Sequence, residues 1–295
     1  MILFIITLFP CVAQCQHTLI KVGVYHDVGV GNTMKSFISA LSINPNTKLE
    51  STDFPTGTYA SVLDKRFIYN ISDALRFRVI EYDCWRWRVL REEEAVQTTL
   101  VNDFSNLYSK ECDLGLTNYF SSRVKIDLCY NRALIADAVY NRITATIGRL
   151  VFNDVINLEV AKFKLEFQNA LAVSVRTWKA PHEKAVDRRY SFDEYAAAIT
   201  TSLQQNPNIN TVVLSVDETT AFADYVAFLQ RFKNLTVVPL FEDANAADGP
   251  NYLQRAVIKM LVMSKCAYFI CNRISTFSEL VFWFSGCTQK VVALM

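Results

Sequence analysis

Residues 267–283 read AYFICNRISTFSELVFW, and this stretch decides the fold class. It begins with a short apolar run at 267–271, passes through a turn rich in hydroxyl side chains, and continues with apolar residues at helical spacing. A short continuous apolar run is typical of a parallel strand that is covered on both faces. The stretch therefore predicts a strand followed by a helix that connects it to a neighbouring parallel strand.

The same alternation extends through the C-terminal half of the chain. Four further apolar runs predict strands, at 171–175, 211–216, 235–240 and 291–294. The stretches between the strands carry helical patterns, and the first of these helices begins with the capping-box pattern Ser191-x-x-Glu194. Five strands alternating with helices predict a doubly wound, Rossmann-like α/β domain with a parallel sheet.

The N-terminal half begins in the same way. Residues 19–25 predict a strand, Gly29-Val30-Gly31-Asn32 predicts a tight turn, and 33–41 predicts a helix. Residues 130–165 carry a helical pattern that connects the two halves. We therefore expect two facing α/β lobes across a cleft, with the N-terminal lobe at 17–165 and the C-terminal lobe at 166–295.

The composition excludes several classes of protein. A chain of 295 residues that is 51% hydrophobic and 20% charged is neither disordered nor of low complexity. Its 30 Lys and Arg residues against 29 Asp and Glu residues leave no basic surface for a nucleic acid. No apolar run reaches the roughly 18 residues that cross a bilayer. We expect no nucleic-acid partner and no membrane span.

The first residues predict the compartment. Residues 1–13 are almost wholly apolar, and small residues follow, so 1–16 have the pattern of a signal peptide. No Lys or Arg precedes Lys21, and a buried first strand is the alternative interpretation. Sequons at Asn70 and Asn234 favour the secretory pathway, in the ER or Golgi lumen, or secretion. The eight cysteines contain no C-x-x-C pair, and they form either disulfides or buried apolar positions.

Three motifs lie where predicted strands lead into helices. At Gly29-Val30-Gly31-Asn32, glycine lets the backbone approach a ligand closely, and the helix that follows favours an anion at its N-terminus. An ordinary turn between a strand and a helix would have the same sequence. The motif lacks the full G-x-G-x-x-G pattern, and this absence argues against a dinucleotide-binding enzyme.

The other two motifs lie in the C-terminal half. Arg176 follows the strand at 171–175, at the edge of the sheet where ligands bind, and its guanidinium suits a phosphate. A structural carboxylate is the alternative partner for Arg176. Ser275, Thr276 and Phe277 open the helix after the strand at 267–271, where hydroxyls and free N–H groups suit a diphosphate. Simple capping by Ser275 or Thr276 is the alternative.

Other kinds of site find little support in the sequence. No D-x-D pair is present, and the chain has three histidines, so we expect no metal site. Neither the G-x-S-x-G pattern of serine hydrolases nor a phosphate-binding P-loop occurs.

The order of Gly31-Asn32, Val175-Arg176 and Ser275-Thr276-Phe277-Ser278 resembles the metal-independent fucosyltransferase superfamily. This superfamily includes protein O-fucosyltransferases, core α1,6-fucosyltransferases and the bacterial nodulation fucosyltransferase. The resemblance implies the GT-B architecture of two facing Rossmann-like lobes. It also implies an inverting glycosyltransferase that uses GDP-fucose as co-substrate, needs no metal cofactor, and modifies a hydroxyl of a glycan or glycoprotein.

The resemblance also implies roles for individual residues. Arg176 matches the arginine that holds the β-phosphate of the donor, and Ser275, Thr276 and Phe277 match the turn around the diphosphate. Asn32 matches the catalytic Asn of the N-terminal Gly-rich turn, close to the reacting centre, and Gly29 and Gly31 are the donor-binding glycines of that turn. The implied reaction is a single displacement at C1 of the sugar, in which these groups stabilise the charge on the leaving diphosphate.

Two positions depart from the family pattern. Ser174 occupies a position that is often His, and Lys259 falls where the family commonly has the Asp that reads guanine. A different nucleotide sugar and a catalytically inactive binding protein therefore remain alternatives.

Several roles remain open. Asp27 is the first candidate for the base, with Glu183 and Asp187 as others. Asp217 either contacts the nucleoside or caps the next helix. The stretch WRWR at 85–88 either lines a sugar site or forms an edge strand.

Overall fold

The computed structural model describes residues 18–23, 29–51, 57–74, 78–83, 130–135, 137–177, 190–217, 219–240, 249–273 and 275–294. The predicted signal peptide at 1–16, the candidate bases Asp27, Glu183 and Asp187, and the stretch at 85–88 lie outside these residues. The predictions for them therefore stay predictions.

The first sheet contains four parallel strands in the order β3-β2-β1-β4. They are β1 (Thr18–Gly23), β2 (Lys48–Glu50), β3 (Ile68–Tyr69) and β4 (Arg78–Asp83). Strand β1 is central, and the chain leads from it towards the glycine-containing motif.

The second sheet contains five parallel strands in the order β7-β6-β5-β8-β9. They are β5 (Ala170–Val175), β6 (Thr211–Val216), β7 (Thr236–Pro239), β8 (Tyr268–Asn272) and β9 (Lys290–Leu294). The strand order reverses between β5 and β8. In open α/β sheets, ligands bind at such a reversal, beside the carboxyl ends of the strands.

The helices cover the sheets and connect the strands. They are α1 (Val30–Ile43), α2 (Ile71–Ala74), α3 (Asp137–Ile147), α4 (Asp154–Ala161), α5 (Phe192–Gln205), α6 (Thr219–Leu229), α7 (Tyr252–Met263) and α8 (Thr276–Phe284). The predicted capping box of Ser191 and Glu194 is present at the start of α5. No helix in the described part of the chain is long and apolar enough to cross a membrane.

Two hydrophobic clusters lie on opposite faces of the second sheet. One includes Leu171 and Val173 of β5 and packs against α5 and α6. The other includes Ala170 and Ala172 of the same strand, together with residues of α7, α8 and α1. The second cluster also reaches β1 and β2, so the two sheets share one continuous core. The α/β fold class with parallel sheets is confirmed, whereas the boundary at residues 165 and 166 stays a prediction.

The N-terminal motif differs from its prediction. Helix α1 begins at Val30, so Gly31 and Asn32 lie in its first turn instead of in a preceding turn. Gly29 is the N-cap, with φ −64° and ψ 157°, and its carbonyl accepts a hydrogen bond from the Thr33 N–H at 3.3 Å. The physical reason is that glycine tolerates the N-cap position well, so the helix starts before the second glycine.

Candidate functional site

The carboxyl ends of β5 and β8 lie side by side at the reversal of strand order. The strands are in register at Val173 and Ile270, so three residues later Arg176 and Arg273 leave the sheet at the same level. The two C-terminal motifs predicted from the sequence therefore leave the same edge of the sheet.

Hydrogen bonds to neighbouring elements fix Arg176 and Thr177, the two residues that directly follow β5. The Arg176 backbone N–H donates to the hydroxyl of the fully buried Tyr195 at 3.3 Å. The next residue, Thr177, donates its N–H and its hydroxyl to Oδ1 of Asp217, at 2.8 and 2.6 Å. Asp217 follows β6, so its carboxylate ties together the ends of two adjacent strands. Its nucleoside contact stays a prediction.

The exit from β8 is also anchored. The Ser275 N–H donates to the Asn272 carbonyl at 3.2 Å, and Ser275 Oγ accepts from the Ser278 N–H at 3.3 Å. The Tyr130 hydroxyl donates to the Ser275 carbonyl at 3.2 Å. Ser275, not Thr276, is therefore the N-cap of α8. The first turn of α8 is fixed relative to the end of β8.

The glycine-containing motif contacts the same helix end. A Cβ atom on Gly31 would lie 2.5 Å from the Phe277 N and from Thr276 Oγ1. These distances are too short for any side chain. Because Gly31 has none, α1 can approach α8 closely. The structure thus brings together Gly31, Thr276 and Phe277, which the sequence placed in one site. Gly29 is different, because a Cβ atom there would meet nothing within 4 Å.

One helical turn further, a buried ion pair joins the same two helices. Lys35 of α1 contacts Glu279 of α8, and their side chains are 7% and 8% exposed. Burial lowers the pKa of Lys35 and raises the pKa of Glu279 to about 8. No sequence motif predicted this pair, although a glutamate inside the apolar run FSELVFW indicates a buried carboxylate that needs a partner.

Lys259 and Tyr252 of α7 feel the charge of Asp217, which follows β6. Burial and the nearby charge of Arg255 lower the pKa of Lys259, and Asp217 opposes this shift. Burial and Asp217 raise the pKa of Tyr252, whose side chain is 50% exposed. The sequence singled out Lys259 and Asp217 but not Tyr252 or Arg255. The missed residues lie one turn apart on the helix that carries Lys259.

The arrangement suits an anionic ligand. Arg176 follows β5, and the N-terminus of α8 follows the adjacent strand β8. The guanidinium and the positive end of the helix dipole both favour a diphosphate. Among the described residues, no three His, Cys, Asp or Glu side chains form a group that would hold a metal ion.

No protein-family model and no curated protein sequence matches the chain. Solved structures do. The structure of POFUT1 in complex with GDP-fucose matches at 11% identity, over 95% of this chain and 98% of that one, with a TM-score of 0.51. POFUT1 in complex with GDP matches at 13% identity, over 94% and 98%, with a TM-score of 0.50. The fucosyltransferase NodZ from Bradyrhizobium matches at 14% identity, over 95% of each chain, with a TM-score of 0.48.

The similarity to the two POFUT1 structures extends over nearly the whole of both chains, so it includes both sheets. It establishes that the chain has the fold of these structures, with two facing Rossmann-like lobes. The fold class predicted from the sequence is confirmed.

Proposed function

We propose that this protein is a glycosyltransferase that moves a sugar from a nucleoside-diphosphate donor to a hydroxyl acceptor, without a metal cofactor. One observation carries the proposal. Gly31 of the N-terminal helix lies against Thr276 and Phe277, beside the strand exit that carries Arg176. Two Rossmann-like lobes thus meet at the point where each sheet offers a helix N-terminus to a ligand.

The geometry supports an electrostatic mechanism. The acceptor oxygen attacks C1 of the sugar as the bond from C1 to the β-phosphate oxygen breaks, which inverts C1. Arg176 and the first N–H groups of α8 stabilise the charge that the leaving diphosphate gains. The acceptor proton passes to a carboxylate, for which Asp27 is the first candidate.

GDP-fucose is the first donor to test, because the POFUT1 structures that share this fold are complexes with GDP-fucose and with GDP. The acceptor is a hydroxyl of a glycan or glycoprotein. The same fold with another nucleotide sugar is the second candidate. Lys259 favours it, because an ammonium cannot accept hydrogen bonds from the N–H groups of guanine.

Nucleotide binding tests the proposal directly. The full chain is titrated by calorimetry with GDP, GDP-fucose and UDP, with and without EDTA, and donor cleavage is followed as release of free nucleoside diphosphate. We expect binding that EDTA does not change, and a stabilisation of about 2.7 kcal/mol at 100 times the Kd. Arg176→Ala weakens binding at least tenfold, because one charge-assisted contact is lost.

Arg231→Ala is the matched control, since Arg231 is exposed after α6. It leaves binding unchanged. A folded protein that binds none of these nucleotides contradicts the proposal, as does an equal effect of the two arginine variants.

The secretory pathway is part of the same proposal. Asn70 and Asn234 of the two sequons are both exposed, so an oligosaccharide can reach either side chain. Expression in a eukaryotic secretory system should add two glycans that a glycosidase removes. Asn70→Gln and Asn234→Gln should each remove one. An unmodified wild-type chain contradicts this part.

A further inference from the structure

Tyr130 reaches the turn between β8 and α8 from a distant part of the chain. It lies in the segment 130–135, which precedes α3, and its ring packs against Phe282 of α8 with 5.9 Å between the ring centroids. Its hydroxyl lies 3.2 Å from the carbonyl oxygen of Ser275 and 3.5 Å from that of Asn272. One hydroxyl group therefore contacts the carbonyls at both ends of this turn.

The surroundings of the Tyr130 hydroxyl keep it protonated. Burial raises the pKa of Tyr130 well above its usual value, and the contact with the Cys271 thiol raises it further. The nearby charge of Arg273 opposes this rise. Burial also raises the pKa of Cys271 to about 12, so the thiol is neutral as well. The hydroxyl is therefore a hydrogen-bond donor at neutral pH.

Two donors hold the Ser275 carbonyl in one orientation. It accepts from the Glu279 N–H at 3.0 Å and from the Tyr130 hydroxyl at 3.2 Å. A carbonyl oxygen has two lone pairs, so both are used. In a planar trans peptide the carbonyl and the following N–H point in opposite directions. Fixing the Ser275 carbonyl therefore also fixes the direction of the Thr276 N–H.

The Thr276 N–H is the first backbone donor of α8. Further along the first turn, the Ser278 N–H bonds to Ser275 Oγ and the Glu279 N–H bonds to the Ser275 carbonyl. Within the residues that the structure describes, the Thr276 N–H has no hydrogen-bond partner. The first N–H groups of a helix point outwards along its axis and favour an anion. A rotation of the peptide between Ser275 and Thr276 would turn this donor away from the diphosphate.

We propose that Tyr130 is a positioning residue of the donor site, whose hydroxyl holds the first peptide of α8 so that the Thr276 N–H faces the leaving diphosphate. This inference rests on the proposed function. Tyr130 acts through the Ser275 carbonyl and not by contact with the donor. The charge on the diphosphate grows as its bond to C1 breaks, so the Thr276 N–H contributes more in the transition state than in the bound donor.

Tyr140 of α3 offers a matched control at the opposite end of the same helix. Its hydroxyl donates to the Gly286 carbonyl, also at 3.2 Å, two residues beyond the end of α8. Arg132 lies over its ring, 3.8 Å from the centroid, and phenylalanine keeps this contact. Tyr130→Phe and Tyr140→Phe thus each remove one hydrogen bond to a carbonyl at an end of α8. Their losses of stability should be similar, whereas only Tyr130→Phe should affect the donor site.

Calorimetry on the full chain compares the two variants. The ligands are GDP or UDP, whichever the wild type binds more tightly, and the matching nucleoside. We expect Tyr130→Phe to weaken the diphosphate about fivefold and to leave the nucleoside within about twofold, because only the diphosphate meets the Thr276 N–H. In cleavage of the matching nucleotide sugar, kcat should fall about tenfold and KM should rise less. Tyr140→Phe should match the wild type in each measurement.

Hydrogen exchange on the wild-type protein tests the same contact without a substitution, so it also decides if Tyr130→Phe does not fold. The Thr276 amide should exchange about tenfold more slowly when the nucleoside diphosphate is bound. The nucleoside alone should leave this rate unchanged. In a folded Tyr130→Phe variant, saturating diphosphate should protect the Thr276 amide less than it does in the wild type.

Two results overturn the inference. One is a Tyr130→Phe variant with the same diphosphate affinity and kcat as Tyr140→Phe. The other is a Thr276 amide whose exchange rate in the wild type does not change when the diphosphate binds. Either result leaves the proposed function in place if Arg176→Ala still weakens binding. A folded protein that binds neither GDP nor UDP overturns this inference and the proposed function together.

Discussion

Lys35 of helix α1 and Glu279 of helix α8 form a buried ion pair one turn beyond the contact of Gly31 with Thr276. The two helices therefore start side by side and run in the same direction. Helix α1 follows the central strand of the first sheet, and α8 follows β8 of the second. The pair thus fixes the relation between the two helix ends that form the proposed donor site.

Removing either partner of this pair should destabilise the protein strongly. Lys35→Met and Glu279→Gln each leave a buried group without its partner, which costs about 3–5 kcal/mol. The free energy of unfolding in urea measures the loss. The double variant Lys35→Met/Glu279→Leu should recover much of it, because apolar side chains replace both charges.

Lys162 and Glu159 provide the control, because they form an ion pair in which the Lys162 side chain is 67% exposed. Lys162→Met should change the free energy of unfolding by less than about 0.5 kcal/mol. Equal effects of Lys35→Met and Lys162→Met would show that the buried pair contributes no more than a surface pair.

The pH dependence of stability should change in the Lys35→Met variant. Burial raises the pKa of Glu279 to about 8 against the opposing effect of a hydrogen bond with Trp283, and Lys35→Met removes the other titrating member of the pair. The native state binds the proton more tightly than the unfolded state, in which the pKa is near 4.5. Stability is therefore full below pH 4.5 and falls as the pH rises to 8, by about 1.4 kcal/mol per pH unit.

Urea unfolding of Lys35→Met at several pH values between 4.5 and 8 measures this slope. Lys35→Met/Glu279→Gln is the control, since it lacks the titrating carboxyl and should lose the slope. A slope that persists in the double variant would assign the effect to another group.

The two glycines of the N-terminal motif should respond differently to alanine. In Gly31→Ala the new Cβ would lie 2.5 Å from the Phe277 N, so α1 and α8 must separate. We expect a loss of about 1–3 kcal/mol, as for an overpacked core, and weaker nucleotide binding. In Gly29→Ala nothing lies within 4 Å of the new Cβ, and φ is −64°, which alanine adopts readily.

Thermal unfolding and calorimetric titration with GDP compare the two variants. Gly29→Ala should match the wild type in nucleotide binding, and its stability should fall only by the modest loss of an N-cap glycine. If Gly31→Ala matches it in both measurements, the contact between the helices has no role in the site.

Most of the second sheet was predictable from the sequence. Its strands are continuous apolar runs, because both faces are covered, and each predicted boundary lies within about one residue of the observed one. Strands β2 and β3 were not predicted. They have three and two residues, too few to show a period, and Lys48 of β2 pairs with Asp73 outside the sheet.

The site was only partly predictable, for a physical reason. Capping by Ser275 depends on neighbours in sequence, so local pattern indicated it. The contact of Gly31 with Thr276 and the pairing of Lys35 with Glu279 join residues far apart in the chain, and no local pattern encodes them.

Substitutions of Asp217 distinguish a structural role of its hydrogen bonds from an electrostatic role of its charge. Its Oδ1 accepts two hydrogen bonds from Thr177, next to Arg176, and an amide oxygen can accept the same two. Asp217→Asn should therefore keep the exit of β5 in place, with thermal stability and GDP binding close to wild type. Asp217→Ala removes the acceptor, so we expect a loss of about 1–2 kcal/mol and several-fold weaker binding of GDP.

Thermal unfolding and calorimetry distinguish the two roles. Asp217 opposes the shift that lowers the pKa of Lys259, so Asp217→Asn should lower that pKa further, which the chemical shifts of the labelled lysine measure. Thr177→Val removes only one of the two hydrogen bonds and should give an intermediate loss of stability. If Asp217→Asn loses as much binding as Asp217→Ala, the charge of Asp217 holds the ligand and its hydrogen bonds to Thr177 are secondary.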